Sequence, residues 1–193
     1  MTTLPERIEL PAVGVVLRRY APTDIDALYA AVEQNRDHLR PHMPWADESR
    51  HELVAFVTDA IAQWDRGRDC NYAIVDDEGR YLGGCGVHDR IGPAAREIGY
   101  WLVAGATGRG IVTAAARALT AAAMAIDGVS RIEIHCDEAN VRSAAVPRRL
   151  GYRLDRIEVD HVSAPGDLGR SMVWVWAADR SRRSAHDATA SST

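Results

Sequence analysis

The stretch EIGYWLVAGATGRGIVTAAARAL, Glu97 to Leu119, decides the fold, because it changes character twice. Glu97–Val103 is rich in aromatic and branched residues, the composition of a strand. Gly105, Gly108 and Gly110 then fall within six residues. From Ile111 onward alanine and leucine, strong helix formers, dominate until Gly128 ends the run. Glycine tolerates positive φ and lets another group approach the backbone. The first N–H groups of a helix lack internal partners and carry the positive end of its dipole. A strand, a glycine turn and a helix start in this order suit a phosphate or pyrophosphate. A tight strand-to-helix connection without a ligand would use the same glycines. The spacing is neither GxxxxGK[ST] nor GxGxxG, and no acid follows where a dinucleotide fold needs one.

Outward from this stretch the chain alternates in type. Val15–Leu17 reads as a strand, and APTD at 21–24 as a break in which Thr23 or Asp24 caps a helix. Leu53, Phe56, Val57, Ala60, Ile61 and Trp64 recur at helical spacing up to Gly67. NYAIVDDEGRYLGGCGVHDR at 71–90 is a hairpin turning at Asp77-Glu78-Gly79. RIEIHCD at 131–137 alternates like a strand. Asn140 opens a helix that Gly151 closes, and two strands follow. The expected order is β-α-α-β-β-β-α-β-α-β-β. That is one mixed α/β (α+β) domain over 1–178, with a mostly antiparallel sheet flanked by helices and a polar tail at 179–193.

The totals exclude several classes. The chain has 193 residues, a net charge of −4 and a pI near 6.0, so no basic excess points to nucleic acid. No stretch is apolar and long enough to span a membrane, and MTTLPERIELPAVG lacks the apolar segment of a signal peptide. A cytoplasmic protein is expected. Three scattered cysteines and seven histidines without ligand spacing predict no metal site.

The quoted stretch, together with GVSRIEIHCDEANVRSAAVPRRLGY at 128–152, resembles the GNAT superfamily of N-acetyltransferases, in particular its RimJ/RimL-type branch. The resemblance covers roughly Val13 to Trp176. It rests on GYW before the glycine loop, the loop, Asn-x-x-Ser opening the next helix and Leu-Gly-Tyr closing it. LRPHMPWA at 39–46 is similar to the acceptor-side loop of that branch. Thr107 stands where the family has a long polar residue, Val112 where it has a small one, and Pro147 where many members have a tyrosine.

The resemblance implies acetyl transfer from acetyl-CoA to a primary amine by direct attack. The amine is that of a protein N-terminus or of a small molecule such as an amino sugar, antibiotic or amino acid. It places the cofactor on Gly108, Arg109, Gly110, Ile111, Val112 and Thr113, with Asn140 on the pantetheine chain. Leu102 or Val103 supplies the backbone N–H for the oxyanion. Ser143 protonates the leaving sulfur, and Glu97 is the first candidate for the base, ahead of Asp160 and His161. Cys136 allows a covalent route. Trp45, Tyr100 and Trp101 offer aromatic walls for the acceptor, and Asp47, with Glu48, Asp89 and Glu97, negative charge. A homodimer through the C-terminal strands is implied as well. The competing classes are a non-catalytic acyl-CoA-binding or sensor domain of the same fold and a dinucleotide-binding oxidoreductase.

Overall fold

The computed structural model describes residues 4–177, so the expected tail at 179–193 lies outside the described residues. Its strands are β1 (Arg7–Leu10), β2 (Val15–Arg19), β3 (Cys70–Asp76), β4 (Tyr81–His88), β5 (Ala95–Leu102), β6 (Arg131–Asp137), β7 (Arg153–Val159) and β8 (Arg170–Ala177). They form one sheet in the order β1-β2-β3-β4-β5-β6-β8-β7. The helices are α1 (Ile25–Gln34), the one-turn α2 (Arg36–Leu39), α3 (Arg50–Asp65), α4 (Ile111–Met124) and α5 (Val141–Leu150).

The predicted order holds, with two additions. β1 and α2 are too short to show a period in the sequence. β1 lies between Pro5 and Pro11 and alternates exposed with half-buried residues, as an edge strand does. Asp24 does not cap α1 with its side chain. Its carboxylate instead accepts from Arg18 at 2.7 Å and from the Ala21 N–H at 2.8 Å.

The sheet separates two cores. Ile111, Ala115, Leu119 and Ala123 of α4 pack with Ala144 of α5 against Ile98, Ile132 and Ile134. On the other face Leu28 and Val32 of α1 and Leu53 and Val57 of α3 pack against Val16, Ala73 and Val75.

All strand pairs are antiparallel except β5 with β6. That parallel pair holds only from Ala95–Glu97 against Arg131–Glu133. Beyond it β5 runs to Leu102 along β4, and β6 to Asp137 along β8, so the two diverge. The fold thus opens a wedge in the middle of its sheet, between the strand that feeds the glycine loop and the strand that feeds α5.

Candidate active site

The glycine loop is arranged as its composition predicts. Gly108 and Gly110 have φ of 76° and 78°, the left-handed region that favours glycine. Gly110 is the N-cap of α4 and has no side-chain cap. The six consecutive N–H groups from Gly108 to Thr113 have no hydrogen-bond partner among the described residues. A Cβ on Gly108 would meet nothing within 4 Å, so the row is open on that side. Thr107 donates its hydroxyl to the Ala104 carbonyl at 2.8 Å, and Val112 is half-buried against the core. Both departures within the loop thus find partners in the protein itself. Asn35, at the end of α1, fixes the loop by accepting from the Ala104 N–H at 2.9 Å.

At the other wall of the wedge, Asn140 caps α5 by accepting from the Ser143 N–H at 3.0 Å. The Ser143 hydroxyl donates to the Tyr100 hydroxyl at 3.2 Å, and Tyr100 donates to the Ser143 carbonyl at 3.1 Å. Burial pushes the Tyr100 hydroxyl far above its ordinary value, so it stays protonated. Tyr100 therefore belongs with Ser143, whereas Trp101, the next residue along β5, turns to the opposite face. Burial pushes the neighbouring Cys136 thiol up to about 11, despite hydrogen bonding to Ser143 and Trp174. A thiol held there is a weak nucleophile near neutrality, which weighs against the covalent route. The Val103 N–H donates to the Leu82 carbonyl at 2.9 Å. N–H groups alternate sides along a strand, so that of Leu102 turns to the diverging side. Of the two oxyanion candidates, Leu102 is thus the one with its N–H free of β4.

A cleft of about 940 Å³, near the upper end for small-molecule sites, runs from Tyr100, Asn140 and Ser143 in the wedge to Trp45 and Trp101 on the opposite face. Trp45 and Trp101 meet edge to face at 5.1 Å between ring centroids, and Tyr81 tilts against Trp101 at 5.9 Å. Gly84 and Gly86 of β4 keep the floor low. A Cβ on Gly84 would sit 2.8 Å from Trp101 Nε1 and 2.9 Å from the Tyr20 hydroxyl.

The structure corrects two charge assignments. Asp47 is exposed, pairs with Arg40 at 2.8 Å and Arg36 at 3.2 Å, and does not line the cleft. Its neighbour Glu48 does. Burial raises the Glu48 carboxyl, and the charge of Glu52 adds to the effect. Glu97 lines the cleft floor, but both its oxygens accept from Arg90, at 2.7 and 2.5 Å. Burial alone would raise its carboxyl. Hydrogen bonding and charge from Arg90 outweigh burial and hold the group below its ordinary value. A carboxylate held so firmly in its charged form is a poor proton acceptor. Asp89 pairs with Arg96 at 3.1 Å. Asp160 and His161 both line the cleft and bond each other at 2.8 Å.

Three histidines of the cleft, His42, His88 and His135, were not singled out from the sequence. His42 Nδ1 lies 3.0 Å from Asp167 Oδ1. His88 Nδ1 lies 3.1 Å from Asp69 Oδ2. His135 Nε2 lies 2.6 Å from Glu133 Oε2. The period-2 pattern of RIEIHCD already puts Arg131, Glu133, His135 and Asp137 on one face of β6. It does not say that this face lines a cleft.

A family model described as an acetyltransferase (GNAT) domain matches residues 15–153. A protein of Bacillus subtilis (strain 168), YdaF, provisionally named a ribosomal N-acetyltransferase, is 29% identical over 147 residues, 72% of this chain and 77% of that one. The structure of RimL, a ribosomal L7/L12 alpha-N-protein acetyltransferase in complex with coenzyme A, superposes with a TM-score of 0.78 at 24% identity, covering 91% of this chain and 97% of that one. The structure of the microcin C7 self-immunity acetyltransferase MccE, in complex with acetyl-CoA and AMP, gives 0.80 at 21% identity, covering 91% and 98%. No group of His, Cys, Asp and Glu among the described residues is arranged to hold a metal ion, and no described helix is long and apolar enough to cross a membrane.

Proposed function

The chain belongs to the GNAT acetyltransferase family, and from that premise we propose that it moves the acetyl group of acetyl-CoA onto the α-amine of a protein N-terminus. The observation that carries the reading is the row of six unpartnered N–H groups at the start of α4, beside the wedge between β5 and β6. A pyrophosphate meets there both hydrogen-bond donors and the positive end of the helix dipole. Arg109 and Thr113 add a charge and a hydroxyl. The ligand's remaining length follows the wedge past Asn140, which brings the thioester to Leu102 and Ser143. Acetyl-CoA supplies an activated acyl group, and the protein supplies orientation and proton traffic. The Leu102 N–H stabilises the oxyanion, an effect worth about 2.7–4 kcal/mol for one well-aimed donor. Ser143, backed by Tyr100, gives the departing sulfur its proton.

An N-terminal amine is favoured over a free small molecule by the activities for which YdaF and RimL are named. Trp45 and Trp101 flank the entry, and Glu48 offers a carboxylate without an ion-pair partner among the described residues. Such an enzyme works in the cytoplasm. A homodimer would use β7, the edge strand at the far end of the sheet from β1, which is exposed along its whole length and carries Ile157 and Val159.

Isothermal titration with acetyl-CoA, followed by thiol release over peptides, amino sugars and amino acids, tests the reading. Near one-to-one binding with turnover on peptides is expected. Binding without turnover on any amine would favour the sensor domain.

A further inference from the structure

Glu97 and Glu133 are register partners at the last rung of the β5–β6 pairing, and both are buried on the cleft face. Arg90 occupies one; the other bonds an imidazole. His135 stands two residues beyond that rung, at the point where the strands part, and it lines the cleft. Its Nε2 is 2.6 Å from Glu133 Oε2. Glu133 is 1% exposed, and Arg131 Nε lies 2.8 Å from its second oxygen. That ion pair is not aligned as a hydrogen bond, so Oε1 has no hydrogen-bond partner among the described residues. A carboxylate only accepts, so in the neutral form of the ring Nε2 carries the hydrogen and the lone pair falls to Nδ1. Nδ1 has no protein partner among the described residues.

We propose that His135 is the general base that takes the proton of the acceptor ammonium, with Glu133 as the residue that fixes its tautomer and orientation. The inference rests on the acetyltransferase reading above. A buried acid, an imidazole and a free nitrogen on a substrate cleft form an orienter and a base. Imidazole is the side chain whose proton affinity suits exchange near neutrality. The ammonium gives one proton to Nδ1, which later passes it to solvent. The freed lone pair forms the C–N bond to the thioester carbon. As the C–S bond breaks, the Ser143 hydroxyl gives its proton to the sulfur, and the second proton leaves the nitrogen for solvent, from which the Ser143 oxygen regains one; one proton is released overall. The charged groups facing His135 are Glu97 and Arg90 across the rung, Arg131, Glu133 and Asp137 on its own strand, and His88 from β4. Arg156 on β7 acts on Glu133, and Asp160 and His161 close the cleft from the segment before β8.

His135→Gln keeps an N–H for Glu133 and removes the basic nitrogen. With a tetrapeptide bearing a free N-terminal serine, kcat/KM should fall about 10²–10⁴-fold. Acetyl-CoA affinity should stay within about twofold, and added imidazole should restore part of the rate. The step that the wild-type pH profile owes to its base should vanish. A variant rate within about threefold of wild type, with the same pH profile, overturns the proposal. A second readout needs no acceptor. Long-range proton–nitrogen correlation of the wild-type imidazoles should show His135 as the Nε2–H tautomer, and Glu133→Gln should disturb that signal. An Nδ1–H tautomer overturns the assignment. Failure of the wild type to acetylate any amine, with the Nε2–H tautomer seen, would count against the functional reading and leave the dyad standing.

Discussion

The two sides of the β5–β6 wedge are built on different principles. The loop side presents backbone: six unpartnered N–H groups, two left-handed glycines and a helix dipole. The cleft side works with side chains, and there a residue's partner decides its chemistry. Glu97 and Glu133 show this most directly, because they occupy the same rung. Arg90 turns Glu97 into a fixed ion pair. Glu133, two residues from an imidazole on its own strand, becomes an orienter. A shared rung and a shared face do not give equal function.

If the sides are separable, each variant should move one and spare the other. The largest effect belongs to the loop. Gly110→Asp puts a carboxylate among the unpartnered amides, at a φ that aspartate tolerates better than most residues. Titration should show acetyl-CoA affinity falling by at least about 100-fold, roughly 2.7 kcal/mol, with the thermal midpoint little changed. Unchanged affinity would remove the loop from the cofactor site. Next is the boundary residue. Ser143→Ala should slow turnover about 10–100-fold, the value of a hydrogen bond to a charged sulfur, while acetyl-CoA binds as before. Parent-like turnover would take Ser143 out of the mechanism.

Glu97→Gln sharpens the contrast from the cleft side. It should cost about 1–2 kcal/mol of stability, kept modest because Arg90 is half exposed, or about 2–8 °C in melting temperature. Turnover should change by less than about fivefold, whereas a loss as large as that of His135→Gln would return the base to Glu97. The pH dependence has a definite sign. The Glu97 carboxyl is depressed in the fold, so its stabilisation is present above the ordinary carboxylate value near 4.3. It is lost as pH falls from there through the folded value. The melting difference between wild type and Glu97→Gln should therefore shrink in acid, and a gap that widens there would contradict the ion pair. The smallest effect is expected of Gly84→Ala, whose methyl meets Trp101 Nε1 and the Tyr20 hydroxyl. It should raise KM for the peptide about two- to tenfold by moving that ring edge, without touching acetyl-CoA affinity.

By itself the sequence determined whatever depends on neighbours along the chain. The strand–glycine–helix junction, the Asn140 cap, the Gly151 stop and the hairpin at Gly79 are local, because backbone φ, capping and period act within a few residues. Those features carry the fold and the glycine loop. β1 escaped because four residues between prolines hold too little period to read. Only the tertiary structure decided what depends on partners far apart in sequence. Nothing local says that Asp47 turns to Arg36 and Arg40 while Glu48 lines the cleft. The spacing of Arg90 and Glu97 does not announce that the loop folds an arginine back onto β5. His135 reads as one member of an alternating strand until the wedge opens beside it. Burial and pairing set which carboxylate is held charged and which imidazole keeps a free nitrogen, and both are properties of the packed sheet.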